Sequence, residues 1–186
     1  IECEGYRNID KASLELSRDV NVFFGDNAQG KTNILEAIYY FACGKSFRGA
    51  RDRELISFDR EHARLELDFE DKDRERRHEV RLHRQGRREC FMEAIRTPRI
   101  SEFVGRFRAV LFSPEHLSIV KDGPSERRLF EDIAISQLYP AYMASLSRYN
   151  KILSERNALL KEPEAFSFKG MLTVLSEQLA REGAFI

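Results

Sequence analysis

The most constraining feature of this sequence is a glycine-bounded motif close to its start. Residues 25–32 read Gly-Asp-Asn-Ala-Gln-Gly-Lys-Thr and match the pattern G-x-x-x-x-G-K-[ST] at every defined position. The β-branched and aromatic run at residues 20–24 predicts a strand that leads into the motif. After the motif, apolar side chains at helical spacing predict a helix that stops near Gly44: Ile34, Leu35, Ile38, Phe41 and Ala42. Strand, loop and helix in this order predict an α/β fold whose loop binds phosphate groups.

Each part of the motif has a physical role in binding a phosphate chain. Glycines let successive backbone N–H groups converge on an anion, and the following helix adds the positive end of its dipole. Lys31 supplies a charge to the β- and γ-phosphates of a nucleotide, and the Thr32 hydroxyl is a ligand for Mg²⁺. The alternative is a glycine-rich turn with a solvated lysine. We predict nucleotide contacts along the whole segment: Gly25, Asp26, Asn27, Ala28, Gln29, Gly30, Lys31, Thr32 and Asn33.

The sequence lacks the acidic half of a hydrolytic site. A second carboxylate at the end of an apolar strand normally holds Mg²⁺ and polarises the attacking water. Residues 65–68 alternate between apolar and acidic side chains, which is typical of a half-exposed strand. Residues 106–112 predict an apolar strand, but Ser113 and Pro114 follow it and are predicted to open a short helix through Val120. We therefore expect weak nucleotide binding with little or no hydrolysis by this chain.

Alternating patterns predict an antiparallel β meander after the first helix. Residues 62–70 and 79–84 alternate, Gln85 and Gly86 predict a turn, and residues 88–92 return as the partner strand. An earlier strand is predicted at residues 12–16 by the same alternation.

Helical periodicity predicts a different architecture from Ser125 onward. A long apolar stripe, a break at Pro163 and a second stripe predict a helical hairpin, in which Tyr142 and Tyr149 are packing residues. The first stripe comprises Leu138, Tyr142, Leu146, Tyr149, Leu153 and Leu160, and the second begins with Phe168, Met171, Leu172, Leu175 and Leu179. We expect a phosphate-loop lobe with a β meander over residues 1–123 and a truncated helical arm over residues 124–186.

The overall charge balance hides a local asymmetry. The chain has 31 Lys and Arg residues against 31 Asp and Glu residues, so its net charge gives no argument for a nucleic-acid or membrane partner. Arginines concentrate in the predicted meander, where they either lie along a DNA backbone or form a solvated edge that prevents strand aggregation. They are Arg74, Arg76, Arg77, Arg81, Arg84, Arg87 and Arg88.

Cysteine usage and apolar run length restrict the cellular setting. The three cysteines, Cys3, Cys43 and Cys90, form no C-x-x-C pair, which argues against a disulfide framework and against common zinc sites. No apolar run approaches the roughly 20 residues that span a bilayer, so we expect a cytoplasmic protein without a membrane partner. Because the chain begins at Ile1 rather than Met, we expect it to be a piece of a larger protein.

Longer sequence blocks surround the motif and extend over nearly the whole chain. Residues 30–40 read Gly-Lys-Thr-Asn-Ile-Leu-Glu-Ala-Ile-Tyr-Tyr, and Gly-Lys-Ser-Phe-Arg follows at residues 44–48. Further blocks are Tyr-Arg-Asn at residues 6–8 and the segments 111–117, 124–130, 147–151 and 156–161. Together, and in this order, they resemble the bacterial RecF family of DNA replication and repair ATPases, which is related to SMC and Rad50-type ABC ATPase heads.

The resemblance implies lobe I of an ABC ATPase head, with ATP and Mg²⁺ as cofactors. Members of this family form ATP-dependent homodimers, bind DNA at single-strand/double-strand junctions or gaps, and work with RecO- and RecR-type proteins to load RecA recombinase in recombination and the SOS response to DNA damage. Arg7 and Asn8 would lie near the nucleotide, and Arg48 would occupy an arginine loop that reaches toward nucleotide or DNA. The intact protein would be a weak ATPase that uses hydrolysis as a switch.

The sequence departs from the family pattern at two places. It contains neither the Leu-Ser-x-Gly-Gln signature nor the acidic strand, both of which belong to the C-terminal part of the family. Glu115 stands where related heads carry a Mg²⁺-sensing Gln, or it is a carboxylate favoured by a helix N-terminus. Two alternatives remain: a DNA-binding or scaffold module without ATP turnover, and a small-molecule phosphotransferase, against which the β meander argues.

Overall fold

The computed structural model describes residues 1–72, 74–114, 123–162 and 165–186. The chain divides into two units, Ile1–Gly123 and Pro124–Ile186. The short helix predicted through Val120, the Glu115 site and the predicted break at Pro163 lie outside the described residues. The assignment of the two units to an ATPase lobe and a helical arm stays a prediction.

An antiparallel sheet organises the first unit. Within the described residues it has the strand order β2-β1-β3-β4-β5-β6. β3 and β4 form its longest hairpin, paired from His62 opposite His83 to Asp71 opposite Arg74, and the predicted meander is thereby confirmed. The strands are β1 (Glu2–Tyr6), β2 (Ile9–Ser13), β3 (His62–Asp71), β4 (Arg74–His83), β5 (Glu89–Met92) and β6 (Ile95–Thr97).

The core of the first unit lies between this sheet and one long helix, α1 (Lys31–Cys43). Tyr40 and Phe41 of α1 and Leu65 and Leu82 of the central strands are all fully buried. Complete burial of a large apolar side chain contributes about 1.5–3 kcal/mol. Since α1 carries the end of the phosphate-loop motif, this packing holds that end of the motif on the sheet.

The predicted helix stop at Gly44 is confirmed. Gly44 adopts φ 68°, and its backbone N–H donates to the carbonyl oxygen of Tyr40 at 2.7 Å. A Cβ at this position would lie 2.8 Å from Cγ1 of Ile100, so both the backbone conformation and the close approach favour glycine. Ile100 begins the short helix α2 (Ile100–Phe103), and a 3₁₀ turn over Asp52–Glu54 precedes β3.

Two predicted strands are wrong. Residues 20–24 and 106–112 belong to no strand of the described structure, and several of their β-forming side chains are exposed, including Val22 at 74 %, Phe24 at 89 % and Val110 at 97 %. A strand needs a neighbour for its N–H and C=O groups as well as apolar side chains. All six strands of the sheet come from other segments, so β propensity alone did not make strands of these two runs.

The strand predicted at residues 12–16 is displaced toward the N-terminus. Tyr6 pairs with Ile9 across the turn of Arg7 and Asn8, so β2 occupies Ile9–Ser13. Arg7 adopts φ 54° in this turn. The turn therefore fixes the register, which the alternation of residues 12–16 did not reveal.

The second unit is helical, as predicted. Its described residues contain α3 (Pro124–Leu138), α4 (Pro140–Lys161), a 3₁₀ turn at Ala165–Phe168 and α5 (Lys169–Phe185). The apolar stripe drawn through Leu138 and Tyr142 is wrong in one respect, because Pro140 cannot continue α3 and starts a new helix.

Polar and aromatic contacts join the three helices. The Tyr142 hydroxyl donates to Asp132 at 2.5 Å between α4 and α3. Arg148 donates to both carboxylate oxygens of Glu182 at 2.6 and 2.9 Å between α4 and α5. A Cβ added at Gly183 of α5 would lie 3.4 Å from Cε2 of Tyr149, so Tyr149 packs against α5 as expected. No helix in the described part of the chain is long and apolar enough to cross a membrane.

Candidate phosphate-binding site

The glycine motif forms an exposed loop that runs directly into α1. Three of its residues adopt positive φ: Gly25 at 136°, Ala28 at 66° and Gly30 at 97°. Gly30 is the N-cap of α1, and its carbonyl oxygen accepts hydrogen bonds from the N–H groups of Asn33 and Ile34 at 2.9 and 3.0 Å. A Cβ on Gly30 would lie 3.0 Å from the Asn8 side-chain oxygen, which only glycine avoids without strain.

The start of α1 offers positive charge that no acidic side chain in its first turn offsets. Unpaired N–H groups and the helix dipole make such an end a site for anions. Lys31, the first residue of the helix, folds back so that its ammonium group donates to the carbonyl oxygens of Gly25 and Asp26 at 2.7 and 2.6 Å. The Lys31 charge therefore lies at the loop, and Thr32 is exposed beside it.

Two asparagines connect the loop to the turn between β1 and β2. Asn8 donates to the carbonyl oxygen of Ala28 at 2.7 Å, and Asn33 donates to the Asn8 side-chain oxygen at 2.7 Å. Arg48 in turn donates to the Asn33 side-chain oxygen at 2.6 Å. The structure thus connects Asn8, Asn33 and Arg48 to the loop by hydrogen bonds, and their contact with a nucleotide stays a prediction.

A buried carboxylate completes this cluster. Glu36 of α1 is fully buried and accepts hydrogen bonds from the Arg7 guanidinium at 2.9 and 2.9 Å, from the Arg48 guanidinium at 3.1 and 2.5 Å, and from the Ser46 hydroxyl at 2.5 Å. Burial alone would raise the pKa of Glu36, but the hydrogen bonds from Arg7, Arg48 and Ser46 outweigh it and lower that pKa to about 2. Glu36 is therefore an anion that holds two cations next to the loop.

Glu36 and Ser46 were missed as site residues in the sequence analysis, although both lie in the family-like blocks. A signal was present, because Glu36 lies among the apolar residues of α1 with Ala37 directly after it. A charged side chain on a buried helix face must find a counter-charge. The sequence could not reveal which arginine supplies it.

The structure divides the arginines of the meander into two groups. Arg84 donates to the carbonyl oxygens of Arg60, Ser57 and Phe58 at 3.0, 2.8 and 3.2 Å. Arg88 donates to the Tyr40 hydroxyl at 2.6 Å and also to the carbonyl oxygen of Gly44. These two guanidinium groups therefore have structural partners within the protein.

The other arginines of this set lie nearer to solvent. Arg76 is half-buried, 3.7 Å from Glu93, whereas Arg77 pairs with Asp68 at 2.7 Å and Arg81 pairs with Glu79 at 2.5 Å. The set is therefore interleaved with carboxylates. Its exposed members are Arg74, Arg77, Arg81 and Arg87.

Among the described residues, no group of three or more His, Cys, Asp or Glu side chains could hold a metal ion. Cys3, Cys43 and Cys90 are free and buried, and burial raises the pKa of their thiols to about 12, 11 and 11. These thiols are protonated at neutral pH and unreactive.

Comparison with known proteins places this chain in a family. Residues 1–162 match the family described as an AAA domain. The chain is 40% identical over 181 residues to the DNA replication and repair protein RecF of Clostridium acetobutylicum, covering 97% of this chain and 50% of that protein. It is also 42% identical over 178 residues to RecF of Clostridium perfringens, covering 96% of this chain and 49% of that protein. The chain thus spans about half the length of these relatives.

Solved structures give the same result. A structure described as the recombination mediator protein RecF-ATPrS in the RecFOR pathway superposes with a TM-score of 0.90 at 35% identity, over 100% of this chain and 50% of that one. The corresponding RecF-ATP structure has a TM-score of 0.86 at 37% identity, again over 100% of this chain and 50% of that one. An Smc head domain from Pyrococcus furiosus shares the fold alone, with a TM-score of 0.57 at 20% identity over 100% of this chain and 56% of that one. The chain belongs to the AAA-domain family, and its sequence and fold are similar to about half the length of RecF, the DNA replication and repair protein.

Proposed function

We propose that this chain is the nucleotide-binding part of a RecF-type DNA replication and repair protein, and that its ligand is ATP with Mg²⁺. The observation that carries the proposal is the loop of residues 25–32, which ends on the N-terminus of α1 with Lys31 beside it. The names of the similar solved structures, RecF-ATP and RecF-ATPrS, support ATP as the nucleotide.

The residues of the loop fit a phosphate chain. A Cβ at Gly25 would meet nothing within 4 Å, so this side of the loop is open. The backbone N–H groups at the start of α1 bind phosphate oxygens, and Lys31 exchanges its two carbonyl contacts for phosphate oxygens, which form stronger charge-assisted hydrogen bonds. Thr32 would hold Mg²⁺, which neutralises phosphate charge when bound.

We propose that this chain binds ATP with little or no hydrolysis. The sequence contains neither the acidic strand nor the signature loop of the family, and hydrolysis needs a group that polarises the attacking water. We assign weak hydrolysis, ATP-dependent dimerisation, binding of DNA junctions or gaps, and RecA loading with RecO- and RecR-type partners to the whole protein in the cytoplasm. Of the predicted DNA-contacting arginines, we retain the exposed Arg74, Arg77, Arg81 and Arg87, because their guanidinium groups are accessible to a phosphate backbone.

Calorimetric titration of the 186-residue chain with Mg²⁺-ATP tests the proposal. Lys31→Ala should weaken binding at least tenfold, or about 1.4 kcal/mol, because it removes the cation at the loop. Lys45→Ala is the matched control, since Lys45 is exposed just after the other end of α1. Equal affinity of the wild type and Lys31→Ala would overturn the proposed site. Robust ATP hydrolysis that Lys31→Ala abolishes would overturn the proposal that this chain only binds.

A further inference from the structure

A second depression, separate from the phosphate loop, opens beside β5 and β6 in the first unit. Its volume is about 410 Å³, and none of residues 25–33 lines it. Cys90 of β5 and Thr97 of β6 line it, and they are paired in the sheet, so their side chains lie on the same face. The depression is therefore a candidate binding site in its own right.

Arg88 lines this depression and makes its contacts with the protein through one nitrogen. Its Nη1 donates to the Tyr40 hydroxyl and to the carbonyl oxygen of Gly44, and lies 3.4 Å from the Asp52 carboxylate. Nε and Nη2 make no hydrogen bond to another described residue, and neither is sealed from solvent. These two nitrogens carry the parallel pair of N–H donors that matches both oxygens of a carboxylate.

Thr97 adds a polar group that the fold does not use. Its side chain lines the depression, the residue is only 8 % exposed, and within the described part of the chain its hydroxyl has no hydrogen-bond partner. The fully buried polar atoms without partners there belong to Tyr6 and His78, so the Thr97 hydroxyl reaches the depression and not the sealed core. A largely buried hydroxyl gains from a ligand oxygen, because its own desolvation is otherwise uncompensated.

The charged groups of the lining leave one net positive charge. Arg87 and Arg88 contribute two cations, and Arg87 is exposed at the surface. Asp52 contributes one carboxylate, which already accepts a hydrogen bond from the Tyr40 hydroxyl at 2.9 Å and lies beside Nη1 of Arg88. One net positive charge balances a ligand that carries one negative charge.

The rest of the lining includes apolar surface. Cys90 is buried with a protonated thiol, Ile100 is half-buried, and Pro98 is exposed. Inorganic phosphate would lose hydration against these side chains without a compensating contact. An organic carboxylate would bury its hydrocarbon stem against them, so this mixed lining favours a carboxylate with an apolar stem.

We propose that this depression binds an organic carboxylate with a short apolar stem. The carboxylate accepts from Nε and Nη2 of Arg88 and from the Thr97 hydroxyl, and the charge of Arg87 attracts it. The stem lies against Cys90, Pro98 and Ile100. A small organic acid and the C-terminal residue of a polypeptide both supply this group, and binding here does not depend on the nucleotide.

Titration of the 186-residue chain, followed by two-dimensional ¹H–¹⁵N NMR at fixed pH and ionic strength, tests the inference. The probe for a small acid is 4-methylpentanoate, and the probe for a polypeptide C-terminus is N-acetyl-leucine. Their neutral amides are the matched control ligands, and inorganic phosphate tests charge alone. We expect saturable shifts in the amide signals of residues 86–90 and 97–100 with at least one acid, and binding about tenfold weaker for its amide. The acid that binds more tightly identifies the source of the carboxylate.

Three ligand results would overturn the inference. They are no saturable shift in these signals with either acid, equal affinity for an acid and its amide, and phosphate binding as tight as that of the acids.

Variants of the lining give the second readout. Thr97→Val keeps the shape of the side chain and should weaken binding of the acid about fivefold, because it removes the hydroxyl donor. Arg88→Lys keeps the charge but loses the paired donors, and should weaken it about tenfold. Arg87→Ala should weaken it severalfold. Arg96→Ala is the matched control for Arg87→Ala, since Arg96 is also exposed but lies on the opposite face of β6 from Thr97.

Two results from these variants would contradict the site. Wild-type affinity in both Thr97→Val and Arg88→Lys would show that neither side chain binds the acid. Equal weakening by Arg87→Ala and Arg96→Ala would show general electrostatics. Should Arg88→Lys not fold, Thr97→Val together with Arg87→Ala decides, and wild-type affinity in both would overturn the inference.

Discussion

The Arg88 guanidinium donates a 2.6 Å hydrogen bond to the hydroxyl of Tyr40, and so joins the segment just before β5 to the last turn of α1. Tyr40 is fully buried, and its hydroxyl donates onward to Asp52 at 2.9 Å. Arg88 also lies 3.4 Å from the Asp52 carboxylate. The contact explains why an arginine from a basic stretch is structural: its donors are used to hold the helix that carries Lys31.

Arg88→Ala should therefore destabilise the first unit by about 2 kcal/mol, because it leaves buried acceptors without a charged donor. The measurement is the denaturant midpoint by circular dichroism. Arg87→Ala is the control, since Arg87 is the exposed neighbour in the same turn. Equal midpoints for the two variants would mean that the Arg88–Tyr40 contact contributes nothing to the fold.

We expect the exposed arginines of the β meander to make its contacts with the phosphate backbone of DNA. For the double variant Arg74→Ala/Arg87→Ala we expect the slope of log affinity against log salt to shrink by about 2, because each lost phosphate contact releases about one counterion fewer. Fluorescence anisotropy with a gapped duplex measures this slope. Arg96→Ala, an exposed arginine outside the set, serves as the comparison, and an unchanged slope in the double variant would remove the meander from the DNA-binding surface.

Substitution of Gly5 should be far more damaging than substitution of Gly49. Both adopt positive φ, 61° and 73°, so alanine at either position costs about 1 kcal/mol of backbone strain. At Gly5 the new Cβ would also lie 2.8 Å from the backbone carbonyl oxygen of His62, which is fixed in the sheet, whereas at Gly49 it meets nothing within 4 Å. We expect Gly5→Ala to lose about 2 kcal/mol more than Gly49→Ala in equilibrium unfolding. A similar loss of stability in both variants would show that the backbone at His62 shifts to accommodate the new Cβ.

Stability should fall in mild acid because of His78. This side chain is buried between Phe69 and Phe103, with ring centroids 4.9 Å from each. Burial lowers its pKa from the ordinary 6.5 to about 4, with Arg106 and Arg76 acting in the same direction and Glu93 opposing them. Since the unfolded chain then binds the proton more readily than the folded one, stability is fully present above pH 6.5 and decreases by about 2 kcal/mol between pH 7 and pH 5.

Unfolding curves at pH 7, 6 and 5 measure this dependence. His78→Leu removes the titrating group and should flatten the curve over this range. The low pKa of Glu36 does not interfere, because its contribution is lost only as the pH falls below about 4.5 toward 2. An unchanged pH dependence in His78→Leu would assign the effect to another group.

Much of the architecture could be predicted from local sequence patterns. The glycine spacing of residues 25–32, the helical period of α1 and the two-residue period of β3 and β4 each depend on near neighbours in the chain, and each was predicted and observed in the described residues. The same reasoning was wrong for residues 20–24 and 106–112. Strand propensity describes the preference of a segment for extended backbone, but a strand also needs a neighbouring strand with which to pair.

The sequence by itself therefore determined that the chain presents a glycine-bounded P-loop motif at the start of a helix, followed by a meander and a helical segment. Only the tertiary structure decided which charged side chains lie beside that loop. Glu36 finds Arg7 across 29 residues and Arg48 across 12, and no local period or spacing encodes either pairing. The physical reason is that a buried carboxylate takes as partners the cations that packing brings within hydrogen-bond reach, and that packing is decided by the whole sheet and helix together.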